Sequence, residues 1–260
     1  MPSELDAGGW LRPAWRVNPR VHALMSTRRT RPSADGQDFD PGRDALTPAA
    51  LHNRAQLAQV LGAAPRWLRQ VHGSQVVRVD RAAEGEELVA DASVSAAPGI
   101  GCVVLVADCL PVLFCDDAGR AVAAAHAGWR GLAAGVLERS VALLCEAAGC
   151  DPAAVQAWLG PCIGPRRFEV GADVLEAFGV DPQADAQRQA QAFFLRRDRA
   201  DGDRRWLADL PALARQRLSR CGVQRVSGGQ WCTVEDASSF VSFRRDGARG
   251  RMAAAIALVD

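Results

Sequence analysis

The sequence predicts an α/β fold, because short apolar runs with β propensity alternate along the chain with longer stretches of helical periodicity. The chain has 260 residues, 48% hydrophobic and 23% charged, a composition typical of folded globular proteins and not of disordered or fibrous ones. A chain of this length buries roughly 75% of its unfolded surface, enough for a large core. No stretch rich in Pro, Gly or Ser divides it, so one domain over residues 1–260 is expected.

Helical periodicity first appears over residues 48–62, which carry a proline near their start and a glycine at their end. One face of this segment carries the apolar side chains Leu51, Ala55, Ala58 and Leu61. Two short β-rich runs follow at residues 67–71 and 75–79. His72 falls between them, so we expect this histidine at or beside a strand end.

The middle of the chain is predicted to form a buried sheet. Continuous apolar runs occupy residues 103–106, 112–114 and 121–125, and such runs are typical of strands covered on both faces. Three chemically active side chains stand at the edges of these runs, namely Asp108, Cys109 and His126.

Two more helices and three more strands complete the alternation. Apolar residues at helical spacing predict a helix over 129–148, ended by Gly149, and another over 207–221. The remaining strands are expected at residues 155–159, 224–227 and 252–258. Polar segments without periodicity, near residues 29–43 and 182–205, are predicted to be surface loops.

Charge disfavours two classes of partner. The chain carries 31 basic and 30 acidic side chains and a formal charge of +1, which provides no global field to attract nucleic acid or an anionic membrane. All 31 basic residues are arginine. A phosphate site would therefore use guanidinium forks, backbone amides or a helix N-terminus.

The chain is expected to be cytoplasmic. Its N-terminal residues do not show the basic-then-apolar order of a secretory signal. The longest apolar stretch, residues 99–115, contains Asp108 and Pro111 and is shorter than the ~20 apolar residues of a membrane-spanning helix. Without a signal, the 8 cysteines are expected as reduced thiols.

Two imidazoles and one thiolate are the ligand set of a catalytic zinc site that keeps its fourth position open. His72, Cys109 and His126 could supply it, at separations of 37 and 17 positions. This spacing matches no short metal-binding signature. Singly, a histidine is more often structural and a buried cysteine more often packs in the core.

Five motifs resemble those of one known family. They are QVHG at 70–73, ADCLP at 107–111, HAGWRG at 126–131, GPCIGP at 160–165 followed by FEVG, and FRRDG at 243–247 followed by GRMAA. Together, from about residue 22 to residue 256, they resemble the laccase-domain (YfiH-like) family, also described as polyphenol oxidase-like or as laccase-domain purine nucleoside phosphorylases.

The resemblance implies an α/β/β/α sandwich with mixed sheets and a metal site at strand ends. Its metal ligands carry over onto His72, Cys109 and His126, with Zn²⁺ as the cofactor and Cu²⁺ as the alternative. The implied reaction is phosphorolysis of adenosine, inosine or methylthioadenosine to the free base and ribose 1-phosphate, with adenosine deamination as a further activity. Phe168 and Phe243 stand where the family usually has tyrosine, so a hydroxyl at those positions is not essential here.

Phosphorolysis requires a phosphate site and help for the departing base. The candidate phosphate ligands nearest the motifs are Arg54, Arg130 and either Arg244 or Arg245, and an equally good interpretation of each is a surface ion pair. Deamination also uses a carboxylate as proton shuttle. Asp108, next to Cys109, is the candidate, although strand alternation could direct it away from the metal.

Three other functions remain open. A copper-binding polyphenol oxidase would use the same His-His-Cys set, but a multicopper site needs many histidines and the chain has 4. Cys109 and His126 could instead act as nucleophile and base of an amidase that edits cell-wall precursors. A binding module with a vestigial site is the third alternative, and the oligomeric state stays open in all of them.

Overall fold

The structure is a computed structural model that describes residues 4–30, 39–42, 47–83, 85–183, 193–247 and 250–260. The strands are β1 (Glu4–Leu5), β2 (Leu11–Arg12), β3 (Val21–Met25), β4 (Ala64–Arg66), β5 (Leu68–Arg69), β6 (Val76–Arg78), β7 (Leu88–Val89), β8 (Ala92–Ser95), β9 (Ile100–Val106), β10 (Leu110–Asp116), β11 (Val122–Ala127), β12 (Val155–Leu159), β13 (Glu169–Val170), β14 (Phe194–Arg196), β15 (Trp206–Ala208), β16 (Arg225–Gly228) and β17 (Met252–Leu258). The helices are α1 (Pro48–Leu61), α2 (Trp129–Ala133), α3 (Val136–Ala148), α4 (Ala172–Ala177), α5 (Leu210–Arg220) and α6 (Phe243–Asp246).

Two six-stranded sheets form the body of the fold. Their strand orders are β1-β2-β3-β17-β9-β4 and β16-β12-β10-β11-β8-β6. Most neighbours are antiparallel, whereas β4 and β9, β6 and β8, and β12 and β16 are parallel. The expected α/β class with mixed sheets is therefore confirmed.

The two sheets face each other across a common apolar core. Val104 of β9 and Leu113 of β10 belong to this inner core. Because side chains alternate along a strand, the next residues point outwards. Val103 packs with Leu57 of α1 on one outer face, and on the other face Val112 packs in a cluster that includes residues of α3 and α5. The layers are helix, sheet, sheet and helix, as the resemblance implied.

Helix α1 confirms the predicted boundaries of the first helix. The hydroxyl of Thr47 accepts a hydrogen bond from the Ala50 amide at 3.1 Å, which satisfies one free N–H of the first turn. Gly62 ends the helix with φ +75°, a left-handed conformation that glycine adopts without a steric penalty.

The other two helix predictions are only partly correct, because one is wrong in its interior and the other at its start. The segment 129–148 contains two helices, α2 and α3, because Gly135 adopts φ +88° between them. The segment 207–221 is helical only from Leu210. Residues 206–208 instead form β15, which pairs with β13 and β14, and Asp209 caps the helix by accepting a hydrogen bond from the Ala212 amide.

The two polar segments are only partly covered by the structure. In the predicted loop 29–43, residues 31–38 and 43 lie outside the described residues, as do residues 184–192 of the predicted loop 182–205. Within the latter, Phe194–Arg196 forms strand β14 of a three-stranded sheet. The loop prediction is therefore wrong there, because Phe194 is buried in the core beneath this small sheet.

None of the helices that the structure describes is long and apolar enough to cross a lipid bilayer.

Candidate metal centre

Three separate segments bring His72, Cys109 and His126 together. His72 follows β5, Cys109 lies in the turn between β9 and β10, and His126 belongs to β11. One ligand atom from each side chain lies within 4.8 Å of the other two. Both histidine rings also pack edge to face, with centroids 4.7 Å apart. The structure therefore assembles the three residues that the sequence suggested as metal ligands.

The turn around Cys109 has an unusual backbone. Asp108 adopts φ +79° and His72 adopts φ +60°, a region that side-chain-bearing residues rarely occupy. Such strain persists where surrounding contacts hold it and is common at functional sites. The two left-handed residues of the described chain that are not glycine thus lie at or next to metal-ligand positions.

Glycines of the HAGWRG segment allow the three ligand segments to approach one another. A Cβ atom at Gly128 would lie 3.0 Å from Sγ of Cys109 and 3.4 Å from the ring of His72. A Cβ atom at Gly131 would lie 2.5 Å from the carbonyl oxygen of Gly73, closer than real contacts allow. Helix α2 can therefore pack directly against the loop that carries His72.

The thiol and the imidazole stabilise each other's charged form. Burial disfavours the thiolate of Cys109, but hydrogen bonds from His126 and His72 outweigh it and lower the thiol pKa to about 6. Burial likewise disfavours charge on His126, yet hydrogen bonds to Asp91 and Cys109 raise its pKa to about 9. A thiolate at neutral pH beside two imidazoles is the donor set that Zn²⁺ and copper prefer. The residues fit such an ion.

Asp91 is a site residue that sequence reasoning missed. It is fully buried immediately before β8, and its Oδ1 atom lies 2.8 Å from Nδ1 of His126. The same carboxylate accepts hydrogen bonds from the backbone amides of Val71, His72 and Gly73. A signal was present, since Asp91 interrupts the apolar segment that leads into β8.

A pocket of about 640 Å³ opens over the three ligands. Its apolar lining includes Leu68, Val71, Leu105, Ile163, Phe168 and Phe243. Its basic lining consists of Arg69, Arg244 and Arg251. The guanidinium of Arg251 lies 5.8 Å from the ring centroid of Phe243, and that of Arg244 lies 5.9 Å from that of Phe168. The pocket thus combines the three candidate metal ligands with two phenylalanine rings and three guanidinium groups.

Of the candidate phosphate ligands, Arg54, Arg130 and Arg245 are absent from the described lining of this pocket, whereas Arg244 is part of it. Arg54 stacks on Trp67 and donates to the carbonyls of Pro41 and Gly42. Arg130 is exposed and stacks on Trp129.

Arg245 donates to the carbonyls of Thr233, Val234 and Phe240 and pairs with Asp246, so its donors stabilise the loop before α6. Of the sequence candidates, the structure places Arg244 in the pocket. It adds Arg69, which directly precedes the QVHG motif and was overlooked, and Arg251, which is distant in sequence from all three candidate metal ligands.

Asp108 lines the pocket, but its carboxylate is already engaged. It accepts hydrogen bonds from the hydroxyls of Thr233 and Ser242 and from the Arg244 amide. Both oxygens therefore hold the segment that carries α6. The contacts give Asp108 a structural role between the Cys109 turn and α6, and its expected role as a proton shuttle stays a prediction.

Known proteins resemble this chain over nearly its whole length. Residues 43–259 match the family described as "Multi-copper polyphenol oxidoreductase laccase". The chain is 48% identical over 256 residues to the purine nucleoside phosphorylase YfiH of Escherichia coli, covering 95% of this chain and 98% of the relative. It is 42% identical over 254 residues to the purine nucleoside phosphorylase PA4543 of Pseudomonas aeruginosa, covering 96% of this chain and 99% of that one.

Solved structures agree with the fold. The crystal structure of Neisseria meningitidis protein NMB0706 superimposes with a TM-score of 0.84 at 42% identity and covers 97% of this chain and 100% of that chain. YlmD from Geobacillus stearothermophilus gives a TM-score of 0.84 at 25% identity, with 99% of each chain covered.

Proposed function

The chain belongs to the multi-copper polyphenol oxidoreductase laccase family, and we propose that it is a zinc-dependent purine nucleoside phosphorylase. The relatives that bear this name match at 42% and 48% identity over almost their full length. The observation that carries the proposal is one pocket that contains a metal-ligand triad, two phenylalanine rings and three guanidinium groups. These groups provide for phosphate binding, for stacking of a purine and for assistance to the departing base.

His72, Cys109 and His126 would hold the ion. When bound, a divalent cation supplies a Lewis acid that favours departure of the purine. The protein itself keeps the thiolate and both imidazoles close together. Asp91 holds the two histidines by hydrogen bonds, and the absence of side chains at Gly128 and Gly131 leaves room for this approach. With three protein ligands, the site resembles catalytic zinc sites more than structural ones.

Arg244 and Arg251 are the groups that we assign to phosphate. Guanidinium groups bind phosphate oxygens in a bidentate manner, and the sequence provides no lysine for this purpose. Arg69 lines the same pocket but also pairs with Glu87 at 3.3 Å in an exposed position. We therefore give it a smaller share of phosphate binding than the other two.

The aromatic wall would bind the base. Phe168 is 8% exposed and Phe243 is 53% exposed, so Phe243 is the more accessible of the two rings that line the pocket. Purines stack on such rings with a gain of roughly 1–3 kcal/mol per base in other proteins. Stacking does not distinguish one purine from another, which is consistent with activity on adenosine, inosine and methylthioadenosine.

Adenosine deamination is the second reaction that we assign to this pocket. It uses the same purine and the same metal ligands. Because the carboxylate of Asp108 is held by Thr233, Ser242 and the Arg244 amide, we assign Asp108 a positioning role in both reactions rather than proton transfer. A purified Asp108→Ala variant that retains zinc and phosphorolysis but loses deamination alone would contradict this assignment.

Product analysis tests the proposed function directly. Metal-quantified protein is incubated with adenosine, with and without phosphate, beside a Cys109→Ala variant. We expect adenine and ribose 1-phosphate only when phosphate is present, and their loss in the variant. Inosine formed without phosphate reports the deaminase reaction. If zinc-loaded protein forms neither product from adenosine, inosine or methylthioadenosine, the proposal is wrong.

A thiol hydrolase is the second candidate, and one contact favours it. Cys109, His126 and Asp91 form a chain of hydrogen-bonded groups in which the carboxylate fixes the imidazole and the imidazole lowers the thiol pKa, as in Cys-His-Asp enzymes. An amidase acting on cell-wall precursors would use this chain without metal. Turnover of such amides by metal-free protein, abolished by added Zn²⁺, would favour it over the phosphorylase.

The number and placement of the histidines fit a copper oxidase less well. Of the 4 histidines, only His72 and His126 line the pocket. His22 instead contacts the carbonyl of Leu61 at 3.2 Å, on the sheet covered by α1. One His/Cys/His group of this kind is found among the described residues, whereas a multicopper oxidase needs a second, histidine-rich cluster. Copper binding at the triad remains compatible with the donors.

A further inference from the structure

We propose that Asp91 is a positioning residue whose single carboxylate orients both histidine ligands and so preassembles the metal site. The inference rests on the proposed metal binding by His72, Cys109 and His126, and it does not depend on which reaction the site performs. Asp91 contacts neither the pocket nor Cys109 in any contact that the structure records. Its effect is therefore exerted through the histidines.

The first half of the role concerns the ring of His126. A carboxylate oxygen only accepts hydrogen bonds, so the Nδ1 atom 2.8 Å away carries the proton. The other ring nitrogen, Nε2, is then left with its lone pair for the ion. A second contact fixes the backbone beneath the ring, because the His126 amide donates to the Asp91 carbonyl at 2.7 Å. Ring tautomer and backbone are thus set by one residue.

The second half concerns the loop that carries His72. Asp91 accepts hydrogen bonds from three successive amides, those of Val71 at 3.2 Å, His72 at 2.8 Å and Gly73 at 2.7 Å. Three N–H groups can converge on one carboxylate because His72 adopts φ +60°. The side chain of His72 is exposed, so burial alone does not hold it in place. The backbone contacts to Asp91 are what keep this ligand beside the other two.

The environment makes these contacts strong. The side chain of Asp91 is 0% exposed, and hydrogen bonds to a charged group are worth more than neutral ones when water is excluded. An asparagine at this position would present an amide N–H₂ group to a set of N–H donors. Either a backbone amide or the His126 ring would then lose its acceptor inside the protein.

Asp108 provides a matched control. It is also a buried carboxylate beside the triad, 8% exposed, and it is adjacent in sequence to Cys109. Its hydrogen bonds go to Thr233, Ser242 and the Arg244 amide, not to a metal ligand. Asp91→Asn and Asp108→Asn therefore remove the same charge near the site, and only the first removes contacts to the histidines.

Zinc affinity of the two variants is measured by competition with a chromophoric chelator, and the spectrum of the Co²⁺-substituted proteins reports ligand geometry. Removal of partners behind metal-bound histidines typically weakens binding by about 10–100-fold. We expect a loss of that size and an altered Co²⁺ spectrum in Asp91→Asn, with Asp108→Asn within about 3-fold of the unsubstituted protein. Equal losses in both variants, or unchanged affinity in Asp91→Asn, would overturn the proposal.

A measurement on the unsubstituted protein covers the case in which Asp91→Asn does not fold. Nitrogen-15 NMR of the zinc-loaded protein identifies which ring nitrogen of His126 is protonated. We expect a slowly exchanging proton on Nδ1. A proton on Nε2 would contradict the assigned orientation. If phosphorolysis is absent while both results are as expected, the proposed function fails and the role of Asp91 stands.

Discussion

The carboxylate of Asp108 accepts a hydrogen bond from the backbone amide of Arg244 at 2.7 Å, which joins the turn carrying Cys109 to the helix carrying a pocket guanidinium. Ser242, immediately before this helix, donates its hydroxyl to the same carboxylate. The two segments are separated by more than 130 positions in the chain. Their connection fixes the position of the arginine side of the pocket relative to His72, Cys109 and His126.

From this connection we predict that Asp108→Asn raises the KM for phosphate and leaves zinc content unchanged. Loss of a hydrogen bond to a charged group costs about 1.5–3 kcal/mol. If that cost falls on the positioning of Arg244, the KM for phosphate should increase by roughly 10-fold. Steady-state kinetics with varied phosphate measures it. The control is Asp117→Asn, which breaks an exposed pair with Arg225 and should leave KM unaltered. An unchanged KM in Asp108→Asn would refute the prediction.

Arg244 and Arg251 are predicted to bind phosphate directly. Truncation to alanine removes a bidentate, charge-assisted contact, so each variant should increase the KM for phosphate by at least about 10-fold. Kinetics with saturating adenosine provides the measurement, and zinc content should stay constant. Arg130→Ala is the matched control, because that exposed guanidinium stacks on Trp129 outside the pocket. A larger effect in Arg130→Ala than in Arg251→Ala would restore the sequence-based assignment.

The structure brings the three predicted metal ligands together but places most of the predicted phosphate ligands outside the pocket, for a physical reason. Cys109 and His126 stand at the ends of long apolar strands, where periodicity shows a polar break, and the family motifs name all three ligands. Arginine is common throughout the chain, with all 31 basic residues of this type. Which guanidinium enters the pocket depends on the path of α6 and of the start of β17, and these paths are set by tertiary contacts such as Asp108 to Arg244.

Helix boundaries also depend on tertiary contacts that a local sequence pattern does not reveal. Pro48 and Gly62 are local signals and correctly predicted α1. In contrast, Leu207 continues a helical apolar pattern but lies in β15, since it pairs with Leu195 and Glu169 across the small sheet. Pairing partners distant in sequence decided its conformation, and residue spacing within one segment contains no information about them.

Metal-free protein should show an unusually reactive thiol at Cys109. Its pKa of about 6 means that the thiolate forms as pH rises through 6 and is lost below it. We expect the rate of alkylation by iodoacetamide to be half-maximal near pH 6, whereas an ordinary thiol, with a pKa of about 8.5, would need a more alkaline solution. Peptide mapping by mass spectrometry identifies the modified residue.

Two buried cysteines serve as internal controls for the alkylation measurement. Cys102 and Cys115 are buried with pKa values raised to about 12, so they should stay unmodified throughout. Adding Zn²⁺ should protect Cys109. A His126→Asn variant should shift the profile to higher pH, because it removes the His126 hydrogen bond, the largest of the effects that lower the Cys109 pKa against burial. A rate that begins to rise only above pH 8 in the unsubstituted protein would contradict the structure.

Gly131→Ala is predicted to weaken metal binding from outside the ligand set. Its new methyl group would lie 2.5 Å from the carbonyl oxygen of Gly73. Neither the Cβ atom nor the carbonyl oxygen can move without its own backbone, so one of the two segments must shift. The loop that carries His72 is the segment that yields, since its conformation depends on hydrogen bonds to Asp91. We expect zinc affinity to fall by about 10-fold, comparable to loss of a supporting contact.

A second glycine variant separates weaker zinc binding from a general loss of stability. Gly149→Ala replaces a residue with φ +60° at the end of α3, where no atom lies within 4 Å of the added Cβ. Its cost is backbone strain of about 1–2 kcal/mol, far from the ligands in sequence. Thermal unfolding should therefore show destabilisation in both variants, and chelator competition should show weaker zinc binding in Gly131→Ala alone. Equal zinc affinity in the two variants would mean that the approach of α2 to the His72 loop does not control the site.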